Sequence, residues 1–275
     1  MTILVTGGTG KVGRRLVRRL RQAGVGVRIA SPHPEGADTI AFDWSVAATW
    51  DAAINGVGAA YLIPPPTGGD ASSIMIDFIE RAVARGVKRF VLQSASLLPA
   101  GGPAAGQVHQ WLLDNAEAWA VMRPSWFMQN FSEGRYLDSI RGANEIYSAA
   151  GDGRVPFIDA DDIAACACAA LTAAAAPNAD FVLTGPQAIT YDDVAASLSR
   201  AIGRTIVHRR ISAEELAARY VARGMPPGAA QVLAGMDTMI AMGVEDRTTD
   251  AVEALTGHAP TSFDAFGKAN AALWM

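Results

Sequence analysis

Residues 2–23 constrain this chain most. Thr2–Thr6 is a short apolar run, glycines follow it at once, and Lys11–Ala23 repeats Val12, Leu16, Val17 and Leu20 on one helical face with arginines on the other. Between them stands Thr6-Gly7-Gly8-Thr9-Gly10-Lys11-Val12-Gly13, which reads T-G-x-x-G-x-x-G. In a strand–turn–helix setting each glycine has a separate task. Gly7 allows the tight turn, Gly10 lets the backbone approach a pyrophosphate, and Gly13 lets the helix pack closely on the sheet. The helix N-terminus then turns N–H groups and a partial positive charge toward the phosphates. The expectation is a dinucleotide site, with Thr9, Lys11 and Val12 completing the phosphate loop. No G-K-[ST] follows, so the loop is not a P-loop.

The rest of the first half repeats the alternation. Strands are expected at Val25–Ala30, Thr39–Phe42, Ala59–Ile63, Lys88–Gln93 and Trp119–Met122, and helices at Ala47–Ile54, Asp70–Arg85 and Gln107–Asn115. Such alternation implies parallel βαβ units. The second half reads as a helix over Phe127–Arg141, short strands at Glu145–Tyr147, Val155–Ile158 and Phe181–Leu183, a helix from about Asp161, and then mainly helices. The fold class is α/β: a Rossmann-type, mostly parallel, doubly wound sheet with a smaller, mainly helical C-terminal lobe. Residues 1–125 are the expected core, completed by strands near 155–158 and 181–184. Residues 126–154 and 186–275 are the expected substrate-binding lobe.

Composition removes several classes. With 50% hydrophobic and 18% charged residues over 275 positions, the chain is not globally disordered. A net charge of −4 without a basic stripe argues against nucleic acid or an anionic membrane as partner. Cys166 and Cys168 sit two apart in a helical stretch, which suits neither a disulfide nor zinc, and no metal site is expected. No signal peptide and no membrane span are read, so a soluble cytoplasmic protein is expected, monomeric or homodimeric, whose partner is a small-molecule substrate.

Cofactor preference turns on the end of the second strand. A carboxylate there bonds the ribose of NAD, but Ala30-Ser31-Pro32-His33 brings no acid until Glu35. Ser31 can donate to a 2′-phosphate, with charge from Lys11 or Arg14 and His33 in the same turn. The alternative is that Ser31 and His33 only cap a solvated turn. NADP is favoured, with NAD possible. After the third strand, Asp43 can accept from an adenine amino group and Trp44 can stack nearby; equally, Asp43 starts a turn and Trp44 is core.

These residues resemble the NmrA-like atypical short-chain dehydrogenase/reductase family. The likeness runs nearly end to end, through the glycine loop, Val87-Lys88-Arg89-Phe90-Val91 leading to Ser94, Arg123-Pro124 with Phe127 to Asn130, Asp161-Asp162-Ile163-Ala164, and Leu183-Thr184-Gly185-Pro186. Trp119 to Phe131, Ile146-Tyr147-Ser148 and Gly151-Asp152-Gly153 look most like the agroclavine/festuclavine dehydrogenase branch. The resemblance implies that Ile63, Pro64 and Pro65 line the cofactor groove, that Ser94 to Ser96 lie near the nicotinamide, and that Trp126 and Phe127 wall the substrate pocket.

The chain departs from the wider superfamily in its acid/base pair. None of the five tyrosines has a lysine four residues on, and no lysine lies between Lys88 and Lys268. Ala105 stands where some NmrA-like reductases carry a helix-opening lysine. The remaining candidate acids are His109, with the right pKa range for proton transfer, and Ser96. His109 is equally read as a residue of a partly exposed helix face, and Ser94 and Ser96 as holders of a turn. Asp159, Asp161 and Asp162 look like a carboxylate cluster but suit helix capping better. Met225, Met236, Met239 and Met242 suggest core, or a pocket for an apolar substrate. The functional expectation is hydride transfer from NAD(P)H to an imine or iminium, an enone or a quinone. The alternatives are a non-catalytic redox sensor and a non-redox lyase or isomerase.

Overall fold

The computed structural model describes residues 1–65 and 71–275. Pro66, last of the three prolines after the fourth strand, and Asp70, expected to open the next helix, lie outside the described residues. The chain divides into two compact units. The first comprises Met1–Pro124, Ala160–Leu183 and Ala251–His258, and the second Ser125–Asp159, Thr184–Asp250 and Ala259–Met275.

The first unit is built on seven strands: β1 (Thr2–Thr6), β2 (Gly26–Ser31), β3 (Thr39–Ala41), β4 (Val57–Leu62), β5 (Arg89–Gln93), β6 (Ala118–Pro124) and β8 (Ala179–Leu183). Their order is β3-β2-β1-β4-β5-β6-β8, every neighbouring pair parallel. The order reverses between β1 and β4, which is where open α/β sheets bind ligands beyond the strands' carboxyl ends.

Alternation along the central strands sends side chains to both faces. Leu4, Ala60, Leu62, Phe90 and Leu92 share one core cluster with residues of α2 (Trp50–Ile54), α3 (Ser72–Ala84) and α4 (Ala105–Asn115). On α1 (Lys11–Gln22), Val12, Leu16, Val17 and Leu20 are buried, as the helical spacing expects, and α1 packs on α7 (Ala160–Thr172). Ile3, Leu4 and Val5 are all fully buried, as in a strand covered on both sides.

In the second unit β7 (Glu145–Ser148) pairs in parallel with β9 (Val207–Arg210). Around them lie α5 (Gln129–Ser132), α6 (Leu137–Ala143), α8 (Tyr191–Ile202), α9 (Ala213–Ala222), α10 (Pro227–Ala241) and α12 (Phe263–Asn270). Its core is aromatic: the Phe131 ring stacks on Tyr136 at 4.8 Å and meets Phe157 and Phe263 edge-on at 5.4 and 5.3 Å.

Four sequence expectations are corrected. The helix over Phe127–Arg141 is broken into α5 and α6: Glu133 leaves helical backbone at φ −148°, ψ 28°, and Gly134 then fits against Asn130, where a Cβ would stand 2.8 Å from the Asn130 Cα. The strand at Val155–Ile158 does not complete the large sheet. It makes only isolated bridges, Phe127 with Ile158 and Val155 with Ile189, and belongs to the second unit. Pro156 at its centre has no N–H for a ladder. Within residues 186–275, the expected lobe, α11 (Ala251–Thr256) instead packs on α7 and β8 in the first unit. The four methionines do not act together as core or pocket: Met239 and Met242 are exposed, while Met225 packs partly buried against a core cluster.

Candidate functional site

The glycine loop has the geometry its spacing demands. Gly7 has φ +61°, left-handed backbone that disfavours a side chain, and the Gly10 N–H donates to the Gly7 carbonyl at 2.9 Å. Gly13 is more constrained still: a Cβ there would lie 2.1 Å from the Gly7 oxygen and 2.7 Å from the Gly8 Cα. The close approach it permits is therefore onto the loop's own backbone, not onto the sheet.

Thr6 staples the loop to the switch point. Its hydroxyl accepts from the Ile63 N–H at 2.7 Å and donates to the Tyr61 carbonyl at 3.2 Å, joining the ends of β1 and β4. That brings the Ile63 side chain against Gly7, 3.1 Å from the place of a Gly7 Cβ. Pro64 and Pro65 follow, half-buried.

Thr9 and Gly10 are exposed, Lys11 is half-buried, and the Val12 side chain is buried, so Val12 offers a ligand only its backbone. No side chain caps α1 at Gly10, and its first turn carries no acid. The first N–H groups of a helix have no intrahelical acceptor, and a carboxylate beside them would repel an anion. The loop thus fits a dinucleotide pyrophosphate.

At the end of β2, the Ser31 hydroxyl donates to the His33 carbonyl at 3.0 Å and accepts from the His33 N–H at 3.2 Å. It holds its own turn, as one of the two readings had it. A cavity of about 360 Å³ opens here, lined by Thr9, Ser31, His33 and Glu35, with Arg21 and Asp38 ion-paired at 2.6 Å. After β3, Asp43 accepts from the Ser45 hydroxyl and N–H at 2.7 and 2.8 Å, bonds that hold its carboxyl below the usual range. The Trp44 ring packs edge-on against Phe42 and Phe78, at 5.0 and 5.2 Å.

The ends of β5 and β6 are tied together. Ser94 N–H donates to the Met122 carbonyl at 2.7 Å and Ser96 N–H to the Pro124 carbonyl at 3.0 Å. Arg123 spans the join, donating to the Ser96 carbonyl at 2.8 Å and to Asp180 at 2.6 Å. The Ser94 hydroxyl is buried without a partner among the described residues. His109 lies on α4 with its ring 5.9 Å from that of Trp119, and is only 2% exposed. Burial and the neighbouring Arg123 lower its pKa against the opposing pull of Asp180, so it stands neutral near pH 7. It sits in the interior, not on the partly exposed face of one sequence reading.

The aspartates separate. Asp161 opens α7 and takes ion pairs from Arg15 at 2.8 Å and Arg18 at 2.7 Å, locking α7 to α1. Asp159 accepts from Gln129 at 2.8 Å in the second unit.

Also in the second unit, Phe127 bridges to Ile158 and the Trp126 ring lies 4.9 Å from the Arg135 guanidinium. Two polar groupings there escaped the sequence reading. One sets Arg135 among Trp126, Tyr136 and Tyr220, with buried Asp237 exerting its field on it. The other is a hydrogen-bonded chain that runs from buried Ser148 through the enclosed His208 ring to half-exposed Asp192, with 2.8 Å at each link. Asp237, on an otherwise apolar stretch of α10, was the one available signal.

Comparison with known proteins accords with this geometry. A family model described as NAD(P)H-binding matches residues 7–174. The chain is 43% identical to an agroclavine dehydrogenase of Claviceps fusiformis, covering 100% of this chain and 99% of the relative. It is 38% identical to a festuclavine dehydrogenase of Aspergillus fumigatus, again over 100% and 99%. The crystal structure of an NADPH-dependent quinone oxidoreductase of Escherichia coli, complexed with NADPH, superposes with a TM-score of 0.83 at 23% identity, covering 97% and 99%. That last likeness speaks to fold. The chain belongs to the NAD(P)H-binding oxidoreductase family that includes the agroclavine and festuclavine dehydrogenases.

Proposed function

We propose that this protein is an NADPH-dependent reductase that passes hydride to a small organic acceptor: an imine or iminium, an enone, or a quinone. The observation that carries the reading is an intact phosphate loop in a chain whose tyrosines lack the partner lysine. Bound nicotinamide supplies the hydride. The Gly7–Gly13 backbone holds the pyrophosphate, and Thr6 keeps the loop and Ile63 in register. An iminium is already cationic, so it needs no coupled protonation. A quinone or enone takes its proton from water or a weak donor. A ketone depends more on a protein acid. Full-length likeness to clavine dehydrogenases supports the same acceptor chemistry.

Ala30-Ser31-Pro32-His33 carries no acid where β2 ends, which favours NADPH over NADH, with Glu35 and the Arg21-paired Asp38 further along the same cavity. Trp126 and Phe127 are the proposed acceptor contacts, tested by their effect on KM. Oxidation of NADPH and of NADH, followed by absorbance against quinones, cyclic imines and enones, tests the whole. Tight cofactor binding with no turnover across that panel sinks the reductase reading and favours a redox sensor. Oxidation of NADH alone sinks the 2′-phosphate argument. Ser96→Ala and His109→Ala then locate the proton: a loss of roughly 10²–10⁴-fold in either makes that residue the donor, and unchanged rates in both leave water.

A further inference from the structure

In the second unit a cavity of about 180 Å³ is lined by Arg135, Tyr136, Tyr147, Arg219, Tyr220 and Arg223, and no acid lines it among the described residues. Three cations and three phenol rings thus converge on a space of single-ring size. A cavity of roughly 150 Å³ is enough to hold benzene.

Arg135 shows what the space lacks. Its guanidinium lies 4.9, 5.3 and 5.7 Å from the rings of Trp126, Tyr136 and Tyr220. One nitrogen reaches the Tyr220 hydroxyl at 3.2 Å, while its Nε is buried with no partner. Among the described residues no carboxylate stands within ion-pair distance of it. Asp237 acts on it only through its field, is fully buried, and accepts from the Ala149 N–H at 3.0 Å. Arg135 is half-buried, with its Nε shut off from solvent, and a cation so placed without a counter-ion is costly; the aromatic rings offset only part of that cost.

The other cations are better supplied but lie closer to solvent. Arg219 sits 3.9 Å over the Tyr147 ring and pairs with Glu215 at 3.1 Å, both members about half exposed. Arg223 is exposed and donates to the Arg135 carbonyl at 2.7 Å. Glu145 is taken up by Tyr147 and Arg209.

We propose that this cavity is a binding site for a small aromatic anion, a single ring bearing a carboxylate. The carboxylate meets the guanidinium groups, whose planar forks match its two oxygens, and the ring lies among the tyrosines. A cationic ligand is disfavoured because Arg135 already fills the aromatic box. The site involves no hydride transfer, so its test is independent of the reductase reading.

The experiment is isothermal titration of the full chain, without cofactor, using benzoate, benzamide and acetate as probes. Benzamide keeps the shape without the charge, and acetate keeps the charge without the ring. Benzoate is expected to bind saturably at one site, at least tenfold more tightly than either. Losing Arg135 perturbs the core, so the exposed pair is varied instead: Arg219→Ala with Arg223→Ala weakens benzoate at least tenfold and leaves the melting temperature near that of the parent. Absence of saturable benzoate binding, equal binding of benzamide, or unchanged affinity in the double variant each overturns the proposal.

Discussion

Gly13→Ala is the sharpest test of the loop. The added methyl would stand 2.1 Å from the Gly7 oxygen and 2.7 Å from the Gly8 Cα. Both atoms are backbone, so no rotamer change relieves the clash; α1 must lift from the loop by about 1 Å or more to reach ordinary van der Waals distance. Overpacking of this kind costs about 3 kcal/mol, at the upper end of its usual range. Alanine's helix preference returns about 1 kcal/mol, leaving a net loss near 2 kcal/mol. In a chain of this size that lowers the melting temperature by about 4–8 °C. The larger effect falls on the cofactor. A shift of that size breaks one charge-assisted bond from the loop to phosphate, worth about 1.5–3 kcal/mol, so NADPH affinity drops roughly 10–100-fold. Gly235→Ala is the control: it lies inside α10 with no atom within 4 Å of the new Cβ, and it should stabilise by up to about 1 kcal/mol. Scanning calorimetry and NADPH titration read both. A Gly13→Ala protein with unchanged melting temperature and unchanged affinity would refute the reasoning.

Trp274→Ala removes a fully buried indole whose Nε1 donates to the Phe131 carbonyl at 2.7 Å, and is expected to cost about 3–5 kcal/mol by urea unfolding. Asp161→Asn weakens the Arg15 and Arg18 pairs between α1 and α7, and should cost about 1 kcal/mol at low salt and less at high salt. Stability should fall as pH drops from 7 toward 5. Burial, first among the causes, depresses the pKa of His109 and of His208, so below about 6.5 the unfolded chain takes protons that the folded chain refuses. The slope reaches at most about 1.4 kcal/mol per pH unit for each group, and His109→Phe should flatten it; a slope unchanged in that variant argues against a buried neutral His109.

The cofactor half was readable because its signals are local. Glycine spacing, a strand of residues buried on both faces and a 3.6-residue apolar stripe each report on their own segment, and β1, the loop and α1 lie where those signals placed them. The second half depends on contacts between distant segments. The break between α5 and α6 falls at Glu133, with Gly134 folded back against Asn130, which a helical apolar pattern cannot display. β9 reads Val-His-Arg-Arg, too polar for an ordinary strand signal, yet it pairs with β7 residue for residue. Arg135 was missed for the same reason: an arginine in a polar stretch reads as solvated, and only the fold brings Trp126 and Tyr220 to it.

The shortage of lysine has a structural side as well as a catalytic one. Only three of the 23 basic side chains are lysines, and several arginines do what an ammonium cannot. Arg81 grips both oxygens of Asp51 through two nitrogens, at 2.6 and 2.8 Å. Arg15 spans Asp161 and the Lys11 carbonyl. Arg123 is the critical case, because its two terminal nitrogens serve different strands: Asp180 of β8 on one side, the Ser96 carbonyl beyond β5 on the other. A lysine there keeps the charge, but its three donors sit on one nitrogen, so it cannot reach both partners as the two separate terminal nitrogens of the guanidinium do. Arg123→Lys should therefore cost about 1–3 kcal/mol, the penalty for a buried acceptor losing its donor, although formal charge is unchanged. It should also slow NADPH oxidation by loosening the Ser94–Ser96 turn, with KM for the cofactor less affected than kcat. Urea unfolding and steady-state rates read the two effects. A lysine variant matching the parent in both would mean that charge at this position suffices, and that the arginine excess carries no structural meaning.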